Sequence, residues 1–409
     1  MIIQGSAGTG KSTLIKAVTQ YLNEQEVMYY LAAPTGRAAK VVQSKAQVWA
    51  KTIHGLIYKP EKLKNGQGIR FVRKQVKNKE YSIYIIDEAS MISDTLRNSE
   101  QFVATKPLLT DLLEFIKESH PMNKVLFIGD HYQLAPIHSN TSPALSLNDL
   151  QGEKGLKGSM VALREVKRQD ADSMVLRNAV KIREAIELGL GYPEIELNVL
   201  DSRTQAVDLL CERYDENDIG RVAAIAWTNG NVNAINRSFR KAYGYSSQKL
   251  QLKENVMLLN SLFMNNNALM KGENVKIIEL DNHIETYADL HFQDAQIEFV
   301  NGNGDVVKAS TKVLLDTLDT NNGSLSADQE NLLHRESIKR NKKFRESQLP
   351  GDDVYVGALR PRYCYAVTCH KAQGGEWEDV ILDPYIPNNN LRWLYTAITR
   401  ASKNIYSHA

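Results

Sequence analysis

The sequence has few cysteines, no long apolar run and almost no net charge. Cys211, Cys364 and Cys369 lack paired metal-ligand spacing, which argues against a disulfide framework or a zinc site and predicts reduced, buried thiols. No apolar run approaches the ~18 residues of a membrane span, and no signal peptide is recognisable. We therefore expect a cytoplasmic protein without a membrane partner. The formal net charge of +2 leaves a polyanionic partner open.

The distribution of charge is more informative than its sum. Between positions 59 and 79 the local balance is +7, because one acidic residue, Glu61, stands among these basic ones: Lys59, Lys62, Lys64, Arg70, Arg73, Lys74, Lys77 and Lys79. Asn65-Gly66 lies between two arms that can be extended. The segment 59–80 is therefore predicted to be a small inserted hairpin.

The length and the apolar pattern indicate the fold class. A chain of 409 residues is too long for one compact core, so we expect two domains with insertions. Short apolar runs recur between helical stretches, at 27–33, 83–87, 124–129, 222–227, 365–369 and 380–382. Because these runs do not alternate with polar residues, they favour an α/β protein whose parallel sheets are covered by helices on both faces.

Two further segments interrupt this rhythm. The stretch 148–159 has Gly and Ser with little apolar periodicity and is the predicted linker between the halves. From 254 to 357 short extended pieces and Asn-Gly turns replace the α/β pattern, which predicts a β-rich insertion. Its basic tail, 339–345, is either a mobile loop or a solvated helix.

A phosphate-binding loop follows the first apolar run. The stretch from Gly5 to Ser12 matches G-x-x-x-x-G-K-[ST], in which glycines let backbone N–H groups approach a polyphosphate. Lys11 is placed to reach the β- and γ-phosphates, and Ser12 to ligate Mg²⁺. The residues predicted to hold the nucleotide here are Gly8, Thr9, Gly10, Lys11, Ser12 and Thr13.

Polar side chains at the ends of two later apolar runs complete a hydrolytic site. Asp87 would hold the Mg²⁺ coordination sphere and Glu88 would orient and deprotonate the attacking water. Gln133 follows the run 124–128, where a neutral amide can both donate to and accept from a γ-phosphate or its water. Each segment alone could be a polar turn, but the upstream phosphate loop favours catalysis.

The ordered motifs resemble those of superfamily 1B DNA helicases, and within that group the RecD and phage Dda branch. The motifs span residues 5 to 401 in the family's order. They are Gly5 to Thr13, Ala33 to Lys40, Thr52-Ile53-His54, Asp87 to Met91, Gly129 to Pro136, Val166-Lys167-Arg168-Gln169, Val367 to Gly374, and Tyr395 to Ala401.

The resemblance implies two RecA-like motor domains with ATP between them. The first would be 1–150, with 59–80 as a strand-separating pin. The second would be 160–253 plus 358–409, with 254–357 as an SH3-like insertion. Arg168 and Arg400 would reach from the second domain to the γ-phosphate, while Gln373 and Glu376 would touch the nucleotide or relay between sites.

The same resemblance implies contacts with single-stranded DNA. The matching positions are Thr35, Thr52, His54, Thr368, His370 and Lys371. Hydroxyls at strand ends suit phosphate oxygens, which fix register without reading sequence. For both histidines a core or helix-capping role stays open. Phe71 would stack on a base at the duplex junction, or pack under its own hairpin.

The resulting prediction is an ATP-dependent DNA helicase that moves 5′ to 3′ on single-stranded DNA and unwinds duplex junctions in a bacterial or phage-infected cell. We expect a monomeric motor with possible partners in replication or recombination. The alternatives are a DNA-stimulated ATPase subunit without independent unwinding and a non-motor binding module. Relatives carry a helix and a glutamine motif ahead of the phosphate loop; four residues leave no room for them here, so we expect a truncated sequence or base recognition that is lost or supplied elsewhere.

Overall fold

The computed structural model describes residues 1–62, 69–75, 80–96, 102–103, 106–136, 139, 141–165, 173–245, 249–264, 267–269, 271–301, 305–318, 320, 324–386 and 390–408. Its strands there are β1 (Ile2–Gly5), β2 (Met28–Ala33), β3 (Ala50–Thr52), β4 (Tyr58–Lys62), β5 (Ile69–Arg73), β6 (Ser82–Ile86), β7 (Phe102–Val103), β8 (Lys124–Gly129), β9 (Met160–Leu163), β10 (Asn198–Leu200), β11 (Val222–Ala226), β12 (Asn255–Leu258), β13 (Leu262–Met264), β14 (Asn267–Leu269), β15 (Asn274–Tyr287), β16 (Leu290–Val300), β17 (Val306–Leu314), β18 (Pro361–Tyr363), β19 (Ala366–Thr368), β20 (Trp377–Leu382) and β21 (Ala401–His408). The helices in the same residues are α1 (Lys11–Glu24), α2 (Gly36–Ala46), α3 (Ile53–Ile57), α4 (Leu108–Ser119), α5 (Leu147–Gly152), α6 (Met174–Leu188), α7 (Arg203–Arg213), α8 (Asn229–Ala242), α9 (Ala327–Arg340), α10 (Lys342–Ser347), α11 (Cys369–Ala372) and α12 (Leu391–Ile398).

The first sheet is parallel throughout, in the order β3-β2-β6-β8-β1-β9. Successive residues of one strand bury opposite faces. Ile85 packs in the core formed with α1 and α2, whereas Tyr84 and Ile86 pack in the core formed with α3 and α4. This two-sided burial is the reason that the strands are apolar throughout.

The second sheet is also parallel, in the order β10-β21-β20-β11-β19. Ala224 faces the core that contains α7 and α8, and Ile225 faces the core that contains α6 and α12. The predicted α/β class with two parallel sheets is therefore confirmed. None of the helices in the described residues combines the length and apolar character that crossing a bilayer requires.

A third, antiparallel sheet has the order β17-β16-β15-β12-β18. Its inner face shares one core with the second sheet, since Val256 and Ile277 cluster with Phe239 of α8. The basic tail 339–345 falls on α9 and α10, and Phe344 of α10 is fully buried. This part of the tail is therefore helical. The SH3-like nature and limits of the insertion stay predictions.

The basic segment contains an antiparallel pair of strands. β4 pairs with β5 from Tyr58 opposite Arg73 to Lys62 opposite Ile69, and β7 adds to β5 in parallel. The hairpin follows α3, which begins at the carboxyl end of β3 in the first sheet. Its role as a strand-separating pin stays a prediction.

The predicted position of the linker, 148–159, was wrong. Residues 147–152 form α5, which Ser146 caps by accepting the N–H of Asp149 (3.2 Å). Residues 160–163 then form β9, which continues the first sheet beside β1, and Ile2 donates its N–H to Ser159 O (2.9 Å). A boundary at residue 150 is thus too early, because the backbone ladder with β1 holds the chain in the first sheet to Leu163.

Candidate nucleotide and nucleic-acid site

The phosphate loop connects β1 to α1 and is built on glycines. Gly8 and Gly10 have φ of +79° and +81°, a left-handed conformation that other residues adopt at a cost. At Gly5 a Cβ atom would lie 2.5 Å from Thr9 Oγ1, whose hydroxyl donates to Ser6 O (2.8 Å). The tight turn therefore holds the loop's backbone close to the start of α1.

The first turn of α1 supplies the charge and the donors. Lys11 Nζ donates to Gly5 O (2.7 Å) and Ser6 O (2.9 Å), so the loop holds its own lysine. Ser12 and Thr13 follow in the same turn, where backbone N–H groups have no partner within the helix. Together they form a site that suits an anion.

Two carboxylates follow β6 at the carboxyl-end edge of the first sheet. Asp87 N–H donates to Ala32 O (2.9 Å), which fixes its backbone, and Glu88 has a φ of +48°. Burial and the adjacent Glu88 raise the pKa of Asp87 to about 7. Among the described residues, the buried Oε2 of Glu88 has no hydrogen-bond partner. A strained backbone conformation and an unsatisfied buried acceptor are both features of functional sites.

Gln133 lies just beyond β8 and is 2% exposed. Its Oε1 atom is buried and accepts no hydrogen bond from any residue that the structure describes. Leaving a buried acceptor unsatisfied costs about 1–3 kcal/mol. Glu88 and Gln133 therefore present the kind of acceptors that an attacking water would satisfy.

Arg400 lies in the turn between α12 and β21 of the second half and enters the same cleft. It is 6% exposed, and its guanidinium donates from Nε to Thr396 O and from Nη1 to Gly375 O, both at 3.1 Å. Nη1 lies 4.0 Å from Glu88 Oε1. One guanidinium thus joins the edge of the first sheet to the backbone of the second half, which makes the cleft a composite site.

Tyr395 makes a second crossing of the cleft, which was not predicted from the sequence. The hydroxyl of this fully buried tyrosine accepts the N–H of Ala7 in the phosphate loop (3.0 Å) and donates to Asp130 Oδ2 (2.7 Å). Tyr395 begins the motif that also contains Arg400, which was the available signal.

Two further hydrogen bonds connect the same elements. Leu134 N–H donates to Thr396 Oγ1 (2.8 Å), and Gln373 Nε2 donates to Leu134 O (2.9 Å). Gln373, predicted to touch the nucleotide or relay between sites, therefore holds the backbone that follows Gln133. Its role as a relay stays a prediction.

Helix α2 contacts the second half at several points, two of which lie at its start. The guanidinium of Arg37 lies over the ring of Trp377, 4.8 Å from its centroid. Next to it, a Cβ atom on Gly374 would lie 2.7 Å from the Cβ of Ala38, so the two backbones approach as closely as a glycine allows. Gly374 also has a φ of +72°.

The far end of α2 makes ion pairs across the same interface. Lys45 Nζ lies 2.5 Å from Glu376 Oε2. Lys40 Nζ lies 3.6 Å from Glu273 Oε1 and donates to Val300 O (2.8 Å) in the third sheet. Glu376, predicted to touch the nucleotide or relay between sites, is thus part of the α2 interface.

The predicted DNA residues of the first half begin helices at the carboxyl ends of strands. Thr35 Oγ1 accepts the N–H of Ala38 (3.2 Å) and Thr52 Oγ1 accepts the N–H of Gly55 (2.9 Å). Burial lowers the pKa of His54, whose ring lies 5.6 Å from that of Tyr58. The threonines thus have structural roles as caps, which a phosphate contact would add to.

The predicted DNA residues of the second half lie where β19 passes into α11. Thr368 ends β19, and burial lowers the pKa of His370 in α11. Burial, with Arg362 and Lys271 nearby, lowers the pKa of Lys371 to about 7.

The cationic surroundings of Lys371 include a fully buried guanidinium. Arg362 is 1% exposed and donates from Nη2 to Asn233 Oδ1 (2.9 Å). Its Nε and Nη1 atoms have no hydrogen-bond partner in the described part of the chain. No carboxylate in the described residues forms an ion pair with Arg362, and such positive charge suits an anion.

Two predicted residues cannot be placed. Arg168 lies outside the described residues, and so does the side chain of Phe71, although its backbone belongs to β5. The described residues also contain no cluster of three or more histidine, cysteine, aspartate or glutamate side chains that could hold a metal ion. Of the two predicted Mg²⁺ ligands, Ser12 and Asp87, only Asp87 is one of these residue types.

Known proteins resemble this chain in both halves. Residues 1–187 match the AAA domain family, and residues 363–406 match the UvrD-like helicase C-terminal domain. The sequence is 24% identical over 414 residues to the ATP-dependent RecD2 DNA helicase of Deinococcus radiodurans, covering 100% of this chain and 46% of that protein. It is 23% identical over 464 residues to the RecBCD enzyme subunit RecD of Buchnera aphidicola, covering 100% and 70%.

The fold resembles the crystal structure of the Pif1 helicase from Bacteroides in complex with ADP-AlF3 and ssDNA, with a TM-score of 0.53, 16% identity and coverage of 100% of this chain and 88% of that one. Taken together, these matches support a superfamily 1B helicase of the RecD/Pif1-like kind. The family predicted from the ordered motifs is thereby confirmed. This RecD/Pif1-like chain spans less than half the length of the Deinococcus relative.

Proposed function

We propose that this RecD/Pif1-like protein hydrolyses ATP between its two parallel sheets and uses closure of that cleft to move along single-stranded DNA and unwind duplexes. The observation that carries the proposal is Arg400, held by backbone of the second half and 4.0 Å from Glu88 of the first. Such an arginine acts only when the cleft is closed, and it can be worth ~10³ to 10⁵ in rate. Hydrolysis is thereby tied to a movement.

Each residue of the cleft has a distinct task in this proposal. The N–H groups of Gly8 to Thr13 and the ammonium of Lys11 hold the phosphates. Glu88 takes a proton from the attacking water, and Gln133 orients that water, because each has a buried oxygen that nothing in the described residues satisfies. Arg400, and Arg168 by the family resemblance, stabilise charge on the transferred phosphoryl group.

The residues present also fit a magnesium ion. Mg²⁺ uses one or two protein ligands together with phosphate oxygens and water. Ser12 and Asp87 would hold it, and it would neutralise charge on the β- and γ-phosphates. A neighbouring cation would also favour the ionised form of Asp87, whose pKa burial and Glu88 raise to about 7.

Single-stranded DNA would cross the carboxyl-end edges of both sheets. Thr35, Thr52 and His54 lie on the first half, whereas Thr368, His370 and Lys371 lie on the second. Contacts with phosphates predict binding that tolerates any sequence and weakens with salt. Movement from 5′ to 3′, a monomeric state, and partners in replication or recombination are proposed from the family resemblance.

Unwinding of matched duplexes with a 5′ or a 3′ single-stranded tail tests the proposal. With ATP and Mg²⁺, we expect unwinding of the 5′-tailed substrate and none by Lys11→Ala. DNA-stimulated hydrolysis by Lys11→Ala at the wild-type rate would refute the motor.

A second candidate is a motor that works only within a larger assembly, which the similarity to a RecBCD subunit favours. DNA-stimulated hydrolysis and translocation without unwinding of either substrate would support this candidate over a self-sufficient helicase.

A further inference from the structure

We infer that Tyr395 is a positioning residue: its hydroxyl group joins the phosphate loop to α12 and thereby sets the position of Arg400. The inference rests on the proposed function and adds a residue to it. Tyr395 is fully buried, and its hydroxyl connects three segments that are distant in sequence: the phosphate loop, the turn after β8, and α12.

The hydrogen bonds at this hydroxyl have a defined direction. Burial and the carboxyl group of Asp130 raise the pKa of Tyr395 well above its ordinary value, so the hydroxyl keeps its proton. It donates that proton to Asp130 Oδ2 (2.7 Å), and its oxygen is left to accept the N–H of Ala7 (3.0 Å). A phenylalanine would keep the ring and lose both bonds.

Ala7 lies in the phosphate loop, whose N–H groups gain phosphate oxygens as acceptors when a nucleotide binds. Backbone N–H groups of this loop are the donors that cradle phosphates. Because Ala7 also donates to Tyr395, a shift of the loop displaces the hydroxyl and with it the helix that carries it. The state of the phosphate loop is thereby communicated to the second half through this hydrogen bond.

The link continues from Tyr395 to Arg400 through rigid backbone. Thr396 O accepts from Arg400 Nε (3.1 Å), and Thr396 Oγ1 accepts the N–H of Leu134 (2.8 Å). The first half therefore holds α12 at adjacent residues, Tyr395 and Thr396, and the second of these holds the guanidinium. Losing the hydroxyl of Tyr395 removes the hydrogen bond that connects α12 to the phosphate loop.

Tyr395→Phe tests the inference, with Tyr58→Phe as the matched control. Tyr58 is also buried and also donates to a buried carboxylate, but that carboxylate, Asp111 Oδ2 (2.6 Å), belongs to α4 rather than to the turn after β8. At saturating single-stranded DNA, kcat of Tyr395→Phe should fall about ten-fold or more, while the dissociation constant of a fluorescent ATP analogue changes by less than about three-fold. Tyr58→Phe should keep kcat within about two-fold of wild type.

A double variant shows whether the effect passes through Arg400. In an Arg400→Ala background, Tyr395→Phe should change kcat by less than about two-fold, because residues that act as a unit are not additive. Full additivity would overturn the inference. So would a single Tyr395→Phe variant with wild-type kcat, while a wild-type protein without DNA-stimulated hydrolysis would refute the proposed function itself.

Hydrogen exchange provides a readout apart from activity. Without nucleotide, Tyr395→Phe should exchange the Ala7 amide faster than wild type does, because that N–H loses its acceptor. If Tyr395→Phe fails to fold, Arg400→Ala carries the test: a non-hydrolysable ATP analogue should still slow exchange across 391–398 although the guanidinium is gone. Unchanged exchange in that segment would contradict the link.

Discussion

Lys371 should make the affinity for single-stranded DNA depend on pH. In the free protein its pKa is lowered to about 7, by burial and by the positive charges of Arg362 and Lys271. A DNA phosphate beside it favours the ammonium form, so binding above pH 7 must take up a proton. If the bound lysine is fully protonated, affinity falls roughly ten-fold between pH 6 and pH 8 through this one group.

The assay is fluorescence anisotropy of a labelled oligonucleotide from pH 6 to pH 9 at constant ionic strength. Lys371→Met should bind weakly at every pH and lose this part of the slope, whereas Lys371→Arg, with its permanent charge, should bind tightly with the slope removed. Comparing slopes cancels the contribution of groups common to all three proteins. A Lys371→Met protein with the wild-type slope would refute the reasoning.

The lowered pKa of Lys371 also affects stability: the free energy of unfolding should rise with pH, whereas the affinity for DNA falls. The folded pKa lies below the unfolded value of 10.5, so the unfolded chain binds more protons between about pH 7 and pH 10.5, and the free energy of unfolding rises with pH in that range. At pH 7, Lys371→Met should be more stable than wild type by at most about 5 kcal/mol, reduced by the solvent that reaches the side chain. Weaker binding together with higher stability would distinguish lost function from damage.

Three further predictions concern the second half and the hairpin. Glu254→Gln leaves the guanidinium of Arg240 buried without its ion-pair partner, so denaturant titration should show a loss of about 3–5 kcal/mol; a loss below about 1 kcal/mol would contradict a compensated pair. Gly374→Ala places a methyl group against α2 and should slow DNA-stimulated hydrolysis, whereas Gly155→Ala, with a similar positive φ but open space around it, should not; equal rates in steady-state assays would refute the close approach. Phe71→Ala should reduce duplex unwinding far more than hydrolysis, and equal losses would exclude a stacking role at the junction.

The strands and the phosphate loop could be predicted because their signals are local. The run 83–87 is apolar on both sides, and the structure shows the reason: Ile85 and Ile86 face different cores. The glycines of the loop likewise follow from backbone geometry that few other residues can adopt. Such features need only the neighbouring residues to be recognised.

The linker and the second crossing of the cleft could not be predicted in the same way. Met160 and Val161 of β9 are about half exposed, so burial leaves no pattern in this strand, and its place depends on hydrogen bonds to β1. Tyr395 and Asp130 are 265 residues apart. No local periodicity encodes a contact of that range, and only membership of the motif pointed to α12.

The interface of α2 has a consequence for how the protein would step. This helix has 11 residues and is roughly 16 Å long. It carries a guanidinium stacked on a tryptophan, a close backbone approach to Gly374, and two lysines that form ion pairs across the interface. Because these contacts lie along one short helix, a rigid-body movement of α2 away from the second half would lengthen all of them at once. The resistance to opening of the proposed cleft would then be concentrated in a short range of movement.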